Sequence, residues 1–189
     1  MKNRIQDIFK DSVKVKEQTL TENLDAIIKS IEEITKTLQN KGTIFLFGNG
    51  GSAADSQHIA AEFIGRFQRE RKSLPAIALT TDTSALTALG NDYGFEVIFA
   101  RQLEGLGKKG DIAIGITTSG NSLNVLEGIK KAKALGLKTI GLLGCDGGKI
   151  APLCDTAIVV PSKVTARIQE SHLCIAHTIC QLAEEELSK

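Results

Sequence analysis

Five short runs of apolar, β-branched or aromatic residues, at 43–47, 76–79, 112–116, 139–143 and 156–160, recur along this chain with helix-patterned segments between them. Runs too short for a helix and without a polar alternate face read as strands buried on both sides. Strands that alternate with helices are joined by crossovers of one hand, which lay helices on both faces of a parallel sheet. The spacing therefore predicts an α/β domain with helices over 52–66, 84–89, 95–106, 122–135 and 165–187. In open sheets of this kind ligands collect beyond the carboxyl ends of the strands. Two turns fall at such ends, the glycine-rich one at 48–52 and the serine-rich one at 117–122.

Ahead of the first strand, residues 5–38 are polar with apolar positions at helical spacing, among them Leu20, Leu24, Ile27, Ile28, Ile31 and Ile34, and Gly42 closes the pattern. This predicts a helical arm over 1–41, made of two helices broken between Thr19 and Thr21, in front of a main domain over 42–189. An arm with one apolar stripe needs a surface to bury it, either its own domain or another subunit. A chain of 189 residues is ample for one α/β core. A formal charge of +1, one Tyr, no Trp and no basic cluster interleaved with aromatics argue against nucleic acid as partner. No stretch reaches the roughly 20 apolar residues of a membrane span and the first residues lack an apolar signal core, so a cytoplasmic location is expected. Cys145, Cys154, Cys174 and Cys180 form no CxxC pair; with two of them on the apolar face of the last helix, they read as reduced core thiols.

The first turn, Gly48-Asn49-Gly50-Gly51-Ser52, leads from a strand into a helix, so its free N–H groups lie at the positive end of a helix dipole, where a phosphate or sugar oxygen can settle. It lacks the third glycine of the dinucleotide fingerprint and no GK[ST] follows, which disfavours nicotinamide and ATP sites. The second turn, Thr117-Thr118-Ser119-Gly120-Asn121-Ser122, has four hydroxyls in six residues. Hydroxyls with helix N–H groups make a phosphate cradle, whereas the ordinary alternative is an N-cap in which Ser122 satisfies the helix start. On the first domain helix, His58 and Glu62 stand at i and i+4 and point the same way. The last helix carries Gln169 and His177 two turns apart on roughly one face. Polar groups in an alanine- and isoleucine-rich stretch break the packing rule and mark candidate site residues. His58, Glu62, Gln169 and His177 could hold a divalent ion of zinc type or form a metal-free acid/base pair with polar support, and spacing does not choose. Asn91-Asp92 between Gly90 and Gly94 supplies groups for sugar hydroxyls, or is simply a turn.

These residues resemble a known family, the phosphoheptose isomerases of the sugar-isomerase (SIS) superfamily. The resemblance rests on GNGGSAADSQHIAAEF at 48–63, GNDYGF at 90–95, TSGNS at 118–122 and RIQESH at 167–172 followed by His177, in that order. It implies a three-layer α/β/α sandwich with a five-stranded parallel sheet, and a homotetramer with sites at subunit interfaces. It also implies aldose–ketose isomerisation of sedoheptulose 7-phosphate, whose product feeds the heptose of lipopolysaccharide or related surface glycans. By matching position, Asn49, Gly50, Gly51, Ser52, Glu62, Asn91, Asp92, Thr117, Thr118, Ser119, Ser122 and Gln169 would contact substrate, and His58, Glu62, Gln169 and His177 match the zinc positions. Thr117 departs from the serine of many relatives but keeps the hydroxyl. The mechanism so implied passes through a cis-enediol with Glu62 as base and His177 as partner acid or metal ligand. Two other readings stand beside it. A non-catalytic SIS module that binds a sugar phosphate or a protein needs the phosphate cradle but has no reason to keep Glu62 and His177 together. An isomerase for a pentose or hexose phosphate would differ in pocket depth.

Overall fold

The computed structural model describes residues 1–188. Five strands, β1 (Ile44–Gly48), β2 (Ala76–Ala78), β3 (Ile112–Thr117), β4 (Lys138–Gly144) and β5 (Thr156–Val160), pair in the order β2-β1-β3-β4-β5, every pair parallel. The helices are α1 (Lys2–Gln39), α2 (Gly51–Ile64), α3 (Thr83–Tyr93), α4 (Ile98–Leu106), α5 (Leu123–Ala134) and α6 (Thr165–Leu187), with one 3-10 turn at Phe95–Val97 and another at Ala151–Leu153. Alternate strand residues feed two cores. Ile44, Leu46, Ile114, Ile140 and Leu142 pack under α1, α2 and α6, while Phe45, Phe47, Ala113 and Leu143 pack under α4 and α5. The result is the α/β/α sandwich expected from the alternation. Because the chain leaves β1 toward β2 and returns to the other side of β1 as β3, the carboxyl ends of β1 and β3 flank the point where strand order reverses. Both candidate turns sit there.

The arm is one helix of 38 residues, about 57 Å long at the standard rise, and not two. The threonines expected to break it instead turn their hydroxyls back onto the preceding turn: Thr19 Oγ1 donates to the Val15 carbonyl at 2.7 Å and Thr21 Oγ1 to that of Glu17 at 2.9 Å. A hydroxyl occupied in that way offers the backbone no alternative to the helix. Buried Asn23 does a further job at the sheet edge. Its Oδ1 accepts the Val159 N–H at 2.8 Å and its Nδ2 donates to the Val159 carbonyl at 3.0 Å, so an edge strand is capped by a side chain. The apolar positions of α1 form two stripes. Ile27, Ile31 and Ile34 enter the core, whereas Leu20, Leu24 and Ile28 stay exposed along a groove shared with Cys174 and Leu182 of α6. Cys174 is thus exposed and not a core thiol; Cys180 is buried, and all four thiols are free. Burial pushes the Cys154 and Cys180 thiols up to about 12, which keeps both protonated. No helix among the described residues is long and apolar enough to cross a membrane.

Candidate active site

Helices α2 and α6 pack side by side, and the candidate chemistry lies along their seam. One turn of α2 separates His58 from Glu62, and His58 Nε2 lies 3.4 Å from Glu62 Oε1. From α6, His177 brings its own Nε2 to 2.9 Å from that of His58, with ring centroids 5.2 Å apart. Residues 119 positions apart in sequence therefore aim three donor atoms at one place, all within 4.8 Å of one another. At that distance one Nε2 donates and the other accepts, the roles being set by the tautomers of the two rings. Two imidazoles and a carboxylate, one exposed and two half-buried, are a donor set that fits an ion of the zinc class. Gln169 does not meet this trio in the same way. It sits toward the amino end of α2, where a Cβ on Gly51 would come within 2.2 Å of its Nε2. Glycine at 51 is what admits the amide.

The lower end of the seam is locked by a pair that the sequence did not disclose. Glu184 of α6, 1% exposed, accepts the backbone N–H groups of Phe67, Gln68 and Arg69 at 2.8–2.9 Å and the Arg71 Nε at 2.9 Å. Burial raises the Glu184 carboxyl, but the three N–H donors and the guanidinium outweigh it, and its pKa lies below the usual value. The rest of the Arg71 guanidinium donates to the carbonyls of Glu62, Phe63 and Gly65, the groups that the end of α2 leaves unpaired. The segment held in this way lays the Phe67 ring 5.5 Å from that of His177. No local pattern signals a partner 113 residues away.

At the sheet edge the glycine turn places Gly50 at φ 56°, ψ −121°, a conformation outside the regions open to other residues. The serine-rich turn carries a hydroxyl network: Thr117 Oγ1 lies 2.9 Å from Ser122 Oγ and 3.4 Å from Ser119 Oγ, and Ser119 Oγ accepts the Asn121 N–H at 3.2 Å. Ser122 is the N-cap of α5 by position, but its side chain makes no capping bond to that helix. The ordinary N-cap alternative therefore does not describe it. Ser52 is buried in the first turn of α2. Asn91 and Asp92 occupy the last turn of α3, which continues to Tyr93, and so are not a turn; both are exposed, and the Asn91 amide donates to Asp92 at 2.8 Å. Their helix ends only at Gly94, where φ reaches 95°. Above the same edge, Asn49 lines two adjoining clefts of about 160 and 280 Å³, the second also lined by Ser122.

A family model described as SIS domain matches residues 8–144. The chain is 65% identical over 150 residues to the phosphoheptose isomerase of Nitratiruptor sp. (79% of this chain, 80% of that one). It is 54% identical over 185 residues to that of Aquifex aeolicus, covering 98% and 97% of the two chains. The chain belongs to the phosphoheptose isomerase family. Membership makes it an isomerase. A solved phosphoheptose isomerase from Neisseria gonorrhoeae superposes with a TM-score of 0.92 at 43% identity, covering 97% of this chain and 98% of that one. In the phosphoheptose isomerase family, then, the α/β/α sandwich and the long first helix seen here are held in common with an experimentally determined relative.

Proposed function

We propose that the protein interconverts sedoheptulose 7-phosphate and D-glycero-D-manno-heptose 7-phosphate, the entry to heptose precursors for surface glycans. The observation that carries the reading is the convergence of His58, Glu62 and His177 on one point in the seam. A sugar-phosphate isomerase needs a base beside the carbon that loses its proton and an electrophile beside the carbonyl oxygen. Glu62 turns Oε1 toward His58, which leaves its second oxygen to remove the proton at C2 of the aldose, or C1 of the ketose, and return it to the other carbon of a cis-enediol. His177 moves the proton between the two oxygens. A zinc ion held by His58, Glu62 and His177 would supply Lewis-acid polarisation of the carbonyl, while Gln169, set beside Gly51, would contact the substrate. Asn49, Gly50, Gly51, Asn91 and Asp92 take the sugar hydroxyls. The turn of Thr117, Thr118, Ser119 and Ser122 takes the phosphate, its hydroxyls already held in place by one another.

The same reading assigns the exposed groove between α1 and α6 to a second copy of the chain. Its lining of Leu20, Leu24, Ile28, Ile175 and Leu182 around about 370 Å³ is almost wholly apolar, which suits a contact between copies in the homotetramer of this reading, with sites near the subunit interfaces. Four free thiols suit a reducing cytoplasm. The test is incubation with sedoheptulose 7-phosphate beside pentose and hexose phosphates, each with and without chelator. Turnover of the heptose phosphate, reduced by chelator, is the expected result; no turnover of any sugar phosphate would replace this reading with a binding module.

A further inference from the structure

Asn124 lies in the first turn of α5, just past the serine-rich turn, and is 3% exposed. Its Oδ1 accepts the Val125 N–H at 2.9 Å. Only an oxygen can accept from a peptide N–H, so this contact fixes which end of the Asn124 amide is which. The amide then faces that of Asn49 in a closed pair. Asn49 Nδ2 donates to Asn124 Oδ1 at 2.8 Å, and Asn124 Nδ2 donates to Asn49 Oδ1 at 2.8 Å. The orientation of Asn49 therefore follows from a backbone hydrogen of α5. A primary amide has two donors and two lone pairs. The pairing takes one of each from Asn49 and leaves one N–H and one lone pair, on the residue that lines both clefts at the sheet edge.

We propose that Asn124 is a positioning residue for substrate. It sets the Asn49 amide so that one donor and one acceptor face the sugar in a fixed order, and it ties the turn that receives the sugar to the turn that receives the phosphate. The inference rests on the isomerase reading above. Without Asn124 the Asn49 amide is free to flip, and a flipped amide presents a donor where a hydroxyl hydrogen requires an acceptor. The competing role for Asn124 is local, a brace for the start of α5 through Val125, and it would act on stability whatever stands at position 49.

A double-mutant cycle separates the two: Asn49→Ala, Asn124→Ala and the double variant, assayed on sedoheptulose 7-phosphate alongside thermal melts. Asn124→Ser is a second probe, since serine keeps an acceptor for the helix start but cannot form the amide pair. The expected result is a drop in kcat/KM of about tenfold for each single variant, as for one lost hydrogen bond, with the double variant no worse than the weaker single one. Asn124→Ser should match Asn124→Ala in kcat/KM while melting near the wild type. An Asn124→Ala loss that persists in full in the Asn49→Ala background overturns the inference, as does wild-type kcat/KM in Asn124→Ser. An inactive wild-type protein is a different failure, since it removes the isomerase reading on which the inference stands.

Discussion

The turn after β1 and the turn after β3 sit on neighbouring strands at one sheet edge, and they are built from opposite materials. The first is glycine and backbone, with Asn49 as its one outward polar side chain and the proposed chemistry delegated to His58 and Glu62 two and three turns down α2 and to α6 beside it. The second is lined with hydroxyls that bond one another, Thr117 to Ser119 and Ser122, and it is braced from behind by Asn121, whose Oδ1 accepts the Lys149 N–H at 3.1 Å. The second turn therefore has its shape before any ligand arrives, while the first is a doorway to groups held elsewhere. Binding a phosphate asks only for fixed donors. Moving a proton asks for groups that approach the same carbon from two helices.

If that division holds, substitutions on the two sides should separate cleanly. The largest effect is expected at Glu62. Replacing it with Gln keeps shape and removes the base, so kcat should fall on the order of 10²–10⁴-fold with the melting temperature near wild type. Next are the glycines. An alanine at Gly120, where φ is 66°, would put Cβ 2.2 Å from the Gly147 carbonyl oxygen, a backbone atom that cannot step aside. An alanine at Gly51 meets the tip of the Gln169 side chain, which can. Gly120→Ala should cost about 2–4 kcal/mol in denaturant unfolding, from the left-handed conformation and overpacking together. Gly51→Ala should cost under about half of that while displacing Gln169 and lowering turnover.

Behind the second turn, buried His172 donates from Nε2 to the Leu143 carbonyl at 2.9 Å, near where β4 abuts Thr118. Burial lowers its pKa from 6.5 to about 4, against a smaller opposing effect of that hydrogen bond. The unfolded chain thus takes up a proton at 172 below pH 6.5 that the folded chain refuses until about pH 4. Stability from this group is unaffected above the window and falls as pH drops through it, by roughly 3 kcal/mol in all. Urea titrations at pH 7, 5.5 and 4.5 should show that slope in the wild type and its loss in His172→Gln. The smallest effect is expected at Ser122. Ser122→Ala should raise KM for the phosphorylated sugar by about tenfold and leave kcat near wild type, because the phosphate is held equally in ground and transition states.

Much of this was legible in the sequence because parallel strands buried on both faces read as continuous apolar runs, and β1, β3 and β4 lie within a residue of where those runs place them. The turns could be read because glycine and hydroxyl residues cluster at their ends. The unbroken α1 could not, since Thr19 and Thr21 look the same whether they cap a helix or bond back onto it. Asn91 and Asp92 mimic a turn but are carried to Tyr93 by the helix around them. The Arg71–Glu184 lock and the Asn49–Asn124 pair join residues 113 and 75 positions apart, and no local periodicity carries such information.

The central claim is that Glu62 carries a proton between two carbons of a phosphorylated sugar. It is tested most directly by running the reaction on sedoheptulose 7-phosphate in deuterated water and examining C2 of the product by NMR. A base that exchanges with solvent predicts deuterium at C2, made by the wild type and lost with Glu62→Gln. Product made at an undiminished rate by Glu62→Gln, or with deuterium still entering C2 in that variant, would contradict the account.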